Sequence, residues 1–158
     1  MRIGITGHMN LTDATVDLVR AALLRELGRF DPATLTGVSC LAEGADSIFA
    51  QAVLDTGGRV EAILPAPDYR GTRVSADHLP AFDALADRAE HVRYIAEASS
   101  TQAYAEANAA MLDAIDLLLA VWDGVPSAKT GGTADAVAEA RARGLQVAVI
   151  WPEGAQRK

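Results

Sequence analysis

Six short apolar runs, separated by segments of helical period, constrain this chain more than any other feature of its sequence. The runs are Arg2 to Thr6, Leu35 to Leu41, Val60 to Leu64, His91 to Ile95, Leu117 to Trp122 and Gln146 to Trp151. After the first, Thr12 is a candidate N-cap. Val16, Leu18, Val19, Ala22, Leu23 and Leu27 then recur at helical spacing until Gly28. After the second, Glu43-Gly44-Ala45-Asp46 turns into a helix carrying Ile48, Phe49, Ala52 and Val53, stopped by Gly57-Gly58. The pattern predicts further helices near Pro80 to Ala89, over Thr101 to Asp113 and over Thr133 to Arg143. Strands apolar on both faces that alternate with helices predict an α/β, Rossmann-like doubly wound fold. Its sheet would be mostly parallel, of about six strands, with helices on both faces. A chain of 158 residues suits one domain. Residues 1–152 are expected to form it, with 153–158 a frayed tail.

Composition narrows the function classes. Half the residues are apolar and 22% are charged, as in a globular protein. The formal net charge of −7 opposes general binding to polyanions, so nucleic acid is not expected as a partner. No stretch resembles a signal peptide or a membrane span, and a cytoplasmic location is the expectation. The single cysteine, Cys40, reads as a buried small hydrophobe.

Ligands of doubly wound sheets bind beyond the carboxyl ends of the strands. Three loops leave such ends with unusual chemistry: Thr6-Gly7-His8, Ser39 through Asp46, and Asp123 through Thr133. In the third, Gly131-Gly132-Thr133 opens a helix. Unpaired N–H groups and the helix dipole favour an anion there, and glycines leave its approach unobstructed. Thr133 can cap the helix or offer its hydroxyl, and Lys129 can neutralise phosphate. The same residues also suit an ordinary strand-to-helix connection. Residues 66–79 form one long irregular stretch, and the loop after Pro65 is a candidate lid. Its Tyr69 can stack on a base, and Arg70 and Arg73 can pair with phosphate. Asp68, Asp77 and His78 share that stretch but match no familiar zinc spacing, so no metal site is expected. There is no Gly-x-Gly-x-x-Gly and no Walker A motif, which argues against a dehydrogenase and against P-loop ATP hydrolysis.

The candidate ligand-binding set is Thr6, Gly7, His8, Ser39, Glu43, Gly44, Asp46, Asn108, Asp123, Gly124, Gly131, Gly132 and Thr133. The candidate catalytic carboxylates are Glu43, Asp46, Asp123 and Asp135. A nucleotide is the expected ligand, and no other cofactor is specified.

Four motifs in order resemble those of the SLOG superfamily: Thr6-Gly7-His8, Leu41-Ala42-Glu43-Gly44-Ala45-Asp46, Val121-Trp122-Asp123-Gly124 and Gly131-Gly132-Thr133-Ala134. That superfamily includes the Lonely Guy phosphoribohydrolases, molybdenum-cofactor carrier proteins and DNA-processing protein A. The resemblance implies a Rossmann-like domain that holds a nucleotide or nucleotide derivative, as sensor or carrier, with phosphate at the Gly-Gly-Thr helix start. It also implies a homo-oligomer, dimer or tetramer. The phosphoribohydrolase branch carries a Glu three residues after the Thr and an Arg on the preceding helix. Here those positions are Ala136 and Ala107, with Asp135 and Asn108 beside them. Hydrolysis of nucleoside monophosphates at the N-glycosidic bond is therefore the alternative reading, and binding without turnover the first.

Overall fold

The computed structural model describes residues 1–127 and 131–158. Lys129, a candidate phosphate contact, lies outside the described residues. Six strands form one sheet: β1 (Arg2–Gly7), β2 (Thr36–Ser39), β3 (Arg59–Leu64), β4 (His91–Tyr94), β5 (Leu117–Val121) and β6 (Gln146–Ile150). The helices are α1 (Asp13–Leu27), α2 (Ala45–Thr56), α3 (Tyr69–Thr72), α4 (Leu79–Arg88), α5 (Thr101–Asp113) and α6 (Thr133–Ala142). Every strand pair is parallel, in the order β4-β3-β2-β1-β5-β6. The α/β doubly wound expectation holds. From β1 the chain steps outward to β4, then α5 carries it back to the far side of β1. The strand order reverses between β1 and β5, where loops leaving opposite faces open a crevice.

Residue alternation within the strands explains the two layers. Ile3, Ile5, Leu117, Leu119 and Val121 pack with Val19, Leu23 and Leu27 of α1, Phe49 and Val53 of α2, and Phe82 and Leu85 of α4. Val38, Ile63 and Leu118 face the other way, onto Ala107, Met111 and Leu112 of α5 and Ala140 of α6. Gly4 lies on this second face. A Cβ there would come within 2.7 Å of Ile115 Cδ1, so the small residue sets how closely the end of α5 approaches β1.

Three local expectations differ. β4 is exposed at all four residues rather than apolar on both faces, because it is an edge strand. The stretch 66–79 is ordered: Ala66, Tyr69 and His78 are buried, α3 forms within it, and Asp68 Oδ1 accepts both the amide and the hydroxyl of Ser99 at 2.8 Å. Residues 153–158 do not fray. Arg157 pairs with Leu11 in an antiparallel bridge, the Thr12 amide donates to Gln156 O at 3.2 Å, and the Lys158 amide donates to Asn10 O at 2.7 Å. The Gln156 amide adds a bond to Thr15 Oγ1 at 2.7 Å. Satisfying these backbone groups offsets the entropy of ordering the tail.

Candidate functional site

The turn from β2 into α2 is knitted internally. Ser39 is fully buried, and its hydroxyl accepts the Leu41 amide at 3.0 Å and donates to Asp46 O at 3.2 Å. Leu41 takes the left-handed region at φ 55, and its carbonyl accepts from His78 Nε2 at 3.2 Å. Ser47 Oγ donates to Ala42 O at 2.7 Å and lies 3.0 Å from the same His78 nitrogen. Because Leu41 O can only accept, Nε2 carries the proton. The Ser47–His78 pair therefore ties the turn to the 66–79 segment and is not an activated nucleophile.

Gly44 and Gly7 are packing positions. At Gly44, φ is +83 and a Cβ would lie 2.5 Å from His8 O; at Gly7 it would lie 2.5 Å from the Cβ of Ala45. The closeness lets the Ala45 amide donate to His8 O at 3.2 Å, joining two of the three candidate loops. Glycine at these two positions thus serves the joint between loops rather than phosphate access.

Asp46 is 9% exposed, and one carboxylate oxygen accepts the Ala42 amide at 3.4 Å. Burial dominates and raises its pKa to about 7; the single amide bond only partly counters it. Burial, with Asp46 nearby, also pushes the Cys40 thiol up, so this cysteine is held in its thiol form. Glu43 is exposed.

At the reversal point, His8 and Asp123 meet. The Asp123 amide donates to His8 Nε2 at 3.2 Å, while Asp123 Oδ1 lies 3.3 Å from the same atom. One nitrogen cannot both accept the amide proton and donate to the carboxylate. Burial, then Arg157, lowers the His8 pKa more than Asp123 raises it, which favours the neutral ring with Nε2 as acceptor. Burial acts to raise the Asp123 pKa, but the Val125 amide, His8 and Arg157 together bring it below the usual value. The Val125 amide donates to Asp123 Oδ1 at 3.0 Å, and Arg157 NH1 stands 3.5 Å from Oδ2. Arg157 Nε donates to Asn10 Oδ1 at 3.0 Å, and the Trp151 ring meets His8 edge-on at 5.7 Å. Sequence reading missed Asn10, Trp151 and Arg157. The one available signal was the pair of adjacent cations at Arg157-Lys158 in a segment expected to fray.

The third loop ends at α6. Gly132, not Thr133, is the N-cap, and no side chain caps it. Gly131 sits at φ +84 and, among the described residues, no atom lies within 4 Å of a Cβ there; Gly124, at φ +80, is equally open. The backbone is thus accessible, as expected for anion approach. The Gly131 amide donates to Asp135 Oδ2 at 2.6 Å, so a carboxylate of the chain itself already uses one of these donors. Thr6, the last residue but one of β1, pairs with Ala120 of β5.

Tyr69 is core rather than a stacking surface: it is 7% exposed and packs on Phe82 and Tyr104 at about 6 Å. Arg70 is engaged, with Nε and NH2 each 2.7 Å from an Asp83 carboxylate oxygen. Arg73 lies 6.0 Å from the ring centre of Tyr104. Asn108 is half-buried two turns into α5. Asp46, Asp123 and Asp135 each accept a different backbone amide, from Ala42, Val125 and Gly131. Among the described residues, no helix is long and apolar enough to cross a membrane.

No protein-family model matches the chain, and no curated protein matches its sequence. Solved structures do. DNA processing protein A from Streptococcus pneumoniae superposes with TM-score 0.69 at 16% identity, over 97% of this chain and 51% of that one. The protein of the same name from Helicobacter pylori, described for its single-stranded DNA binding mode, gives 0.71 at 15% identity over 99% and 68%. The structural-genomics target TM1055 gives 0.59 at 15% over 92% and 71%. This chain spans about half the length of the Streptococcus protein. The likeness shows the fold alone, a Rossmann-like parallel sheet with helices on both faces. It also corrects one expectation: a fold shared with a single-stranded-DNA-binding protein overturns the exclusion of nucleic acid that was drawn from net charge. Net charge describes the far field, whereas binding is decided by local backbone donors and individual cations.

Proposed function

We propose that the carboxyl edge of the sheet at β1 and β5 binds the phosphate of a nucleotide unit, free or within a single DNA strand, without cleaving it. The observation that carries this reading is the open backbone at Gly131, followed by Gly132, which starts α6 without a side-chain cap beside the strand-order reversal. The single-stranded DNA bound by the Helicobacter pylori protein, on the same fold, supports a nucleotide as the unit recognised. Binding rather than hydrolysis is supported by two features. Each of the three candidate aspartates is engaged by a backbone amide of its own loop. Ala107, where the resemblance places an Arg, is 1% exposed in the α5 packing and leaves no room for a long cation.

Calorimetry with deoxythymidine monophosphate and with a short oligodeoxythymidylate tests the reading, with chromatography for released base. Binding of either probe without base release, weakened by Gly132→Asp, is expected. Base release would make the protein an N-glycosidase. Binding of neither probe would remove the proposal.

A further inference from the structure

An acidic chain that takes a phosphate needs a cation placed where the phosphate docks. Half of the described arginines pair with carboxylates elsewhere. Arg70 grips Asp83 with two nitrogens, Arg143 holds Glu139 and Asp113, and Arg20 holds Asp55. Arg73 stands over Tyr104 beyond the end of β3, two strands from β1. Arg157 differs. Its side chain is 42% exposed, and it is pinned between Asn10 of the β1–α1 loop and Asp123 of the β5–α6 loop. These are the two loops that flank the strand-order reversal.

The pinning leaves donors over. Nε is used at 3.0 Å by Asn10 Oδ1, while the approach of NH1 to Asp123 is long, at 3.5 Å. A guanidinium carries five N–H donors, and an exposed pair at this distance is weak. An oxyanion can therefore engage the terminal nitrogens without breaking a strong bond. Backbone bonds hold the strap itself: Gln156 O on the Thr12 amide, the Gln156 amide on Thr15 Oγ1, and the Lys158 amide on Asn10 O. The guanidinium is thus presented on a fixed backbone, which lowers the entropy lost when a ligand binds.

We propose that Arg157 is the phosphate-binding cation of this edge, carried there by residues 155–158 strapped across the two loops. The inference rests on the binding reading above. It also gives His8 a reporter role: Arg157 is one cause of the lowered His8 pKa. A phosphate on Arg157 cancels part of that positive field and moves the imidazole upward.

The test compares the wild type with Arg157→Gln and Arg157→Lys, using deoxythymidine monophosphate, the oligodeoxythymidylate and phosphate-free thymidine. Arg157→Gln is expected to weaken both phosphate-bearing probes about tenfold while leaving thymidine unchanged, and to flatten the salt dependence by about one phosphate contact. Arg157→Lys, which keeps the charge, restores part of the affinity. By NMR, the His8 titration should move up when the monophosphate binds the wild type and stay put in Arg157→Gln. If the wild type binds but Arg157→Gln binds alike, with the same salt slope and a His8 titration that still moves, this inference alone falls. If the wild type takes no probe, the binding reading falls and takes this inference with it. Arg157→Lys keeps the comparison decisive should Arg157→Gln loosen the strap.

Discussion

Two aspartates near the sheet edge carry opposite consequences. Asp46 is buried and holds its proton up to about 7, against 3.8 for the free carboxyl. Between those values the folded chain binds a proton that the unfolded chain has released, so stability falls as pH rises and levels off above about 7. The shift corresponds to a loss on the order of 4 kcal/mol. Thermal unfolding of Asp46→Asn should lack this fall and exceed the wild type above pH 7; parallel curves would show that Asp46 ionises as freely in the folded state as in the unfolded one. Asp135 acts on ligand instead. Its carboxylate accepts the Gly131 amide where an anion would sit. Asp135→Asn keeps an acceptor and removes the charge, and is expected to tighten phosphate binding about fivefold, on the order of 1 kcal/mol for an exposed like charge. Unchanged or weaker affinity in calorimetry would place the phosphate elsewhere. Sequence reading identified both residues as carboxylates of interest but not their roles, because burial of one and back-bonding of the other depend on neighbours that spacing does not reveal.

Among the elements, the helix starts are legible in the sequence for different physical reasons. Gly44 and Gly131 share a positive φ, at +83 and +84. Gly44 is also hemmed in by His8 O, whereas Gly131 meets no atom of the described residues. Gly44→Ala adds a clash to the backbone penalty and breaks the joint between the first two loops. It should cost about 2 kcal/mol or more in denaturant unfolding. Gly131→Ala should cost only about 1 kcal/mol, yet weaken phosphate binding by obstructing approach. Equal stability losses for the two variants would refute this distinction. The Thr12 cap of α1 and the stops at Gly28 and Gly57 match the sequence reading because local chemistry decides them. The 66–79 stretch, irregular by its sequence, holds α3 and buries Tyr69 and His78. Its order comes from contacts of high sequence separation, such as Asp68 with Ser99 and His78 with Leu41.

For the whole molecule, the net charge of −7 and the few cations that the described residues bring to the site predict a shallow salt response. With one or two phosphate contacts, the logarithm of the oligodeoxythymidylate binding constant should fall with that of salt at a slope of about −0.7 to −1.4. A slope several times steeper would reveal a basic groove that this reading lacks. The chain by itself determined the alternation of strands and helices, and with it a parallel sheet whose ligand edge lies at the strands' carboxyl ends. Periodicity and turn chemistry are local, and handed crossovers then leave few topologies open. Only the tertiary structure decided that Tyr69 is core and that residues 153–158 return to the first loop. The bond between Arg157 and Asn10 spans 147 positions of sequence, a distance over which no local pattern carries information.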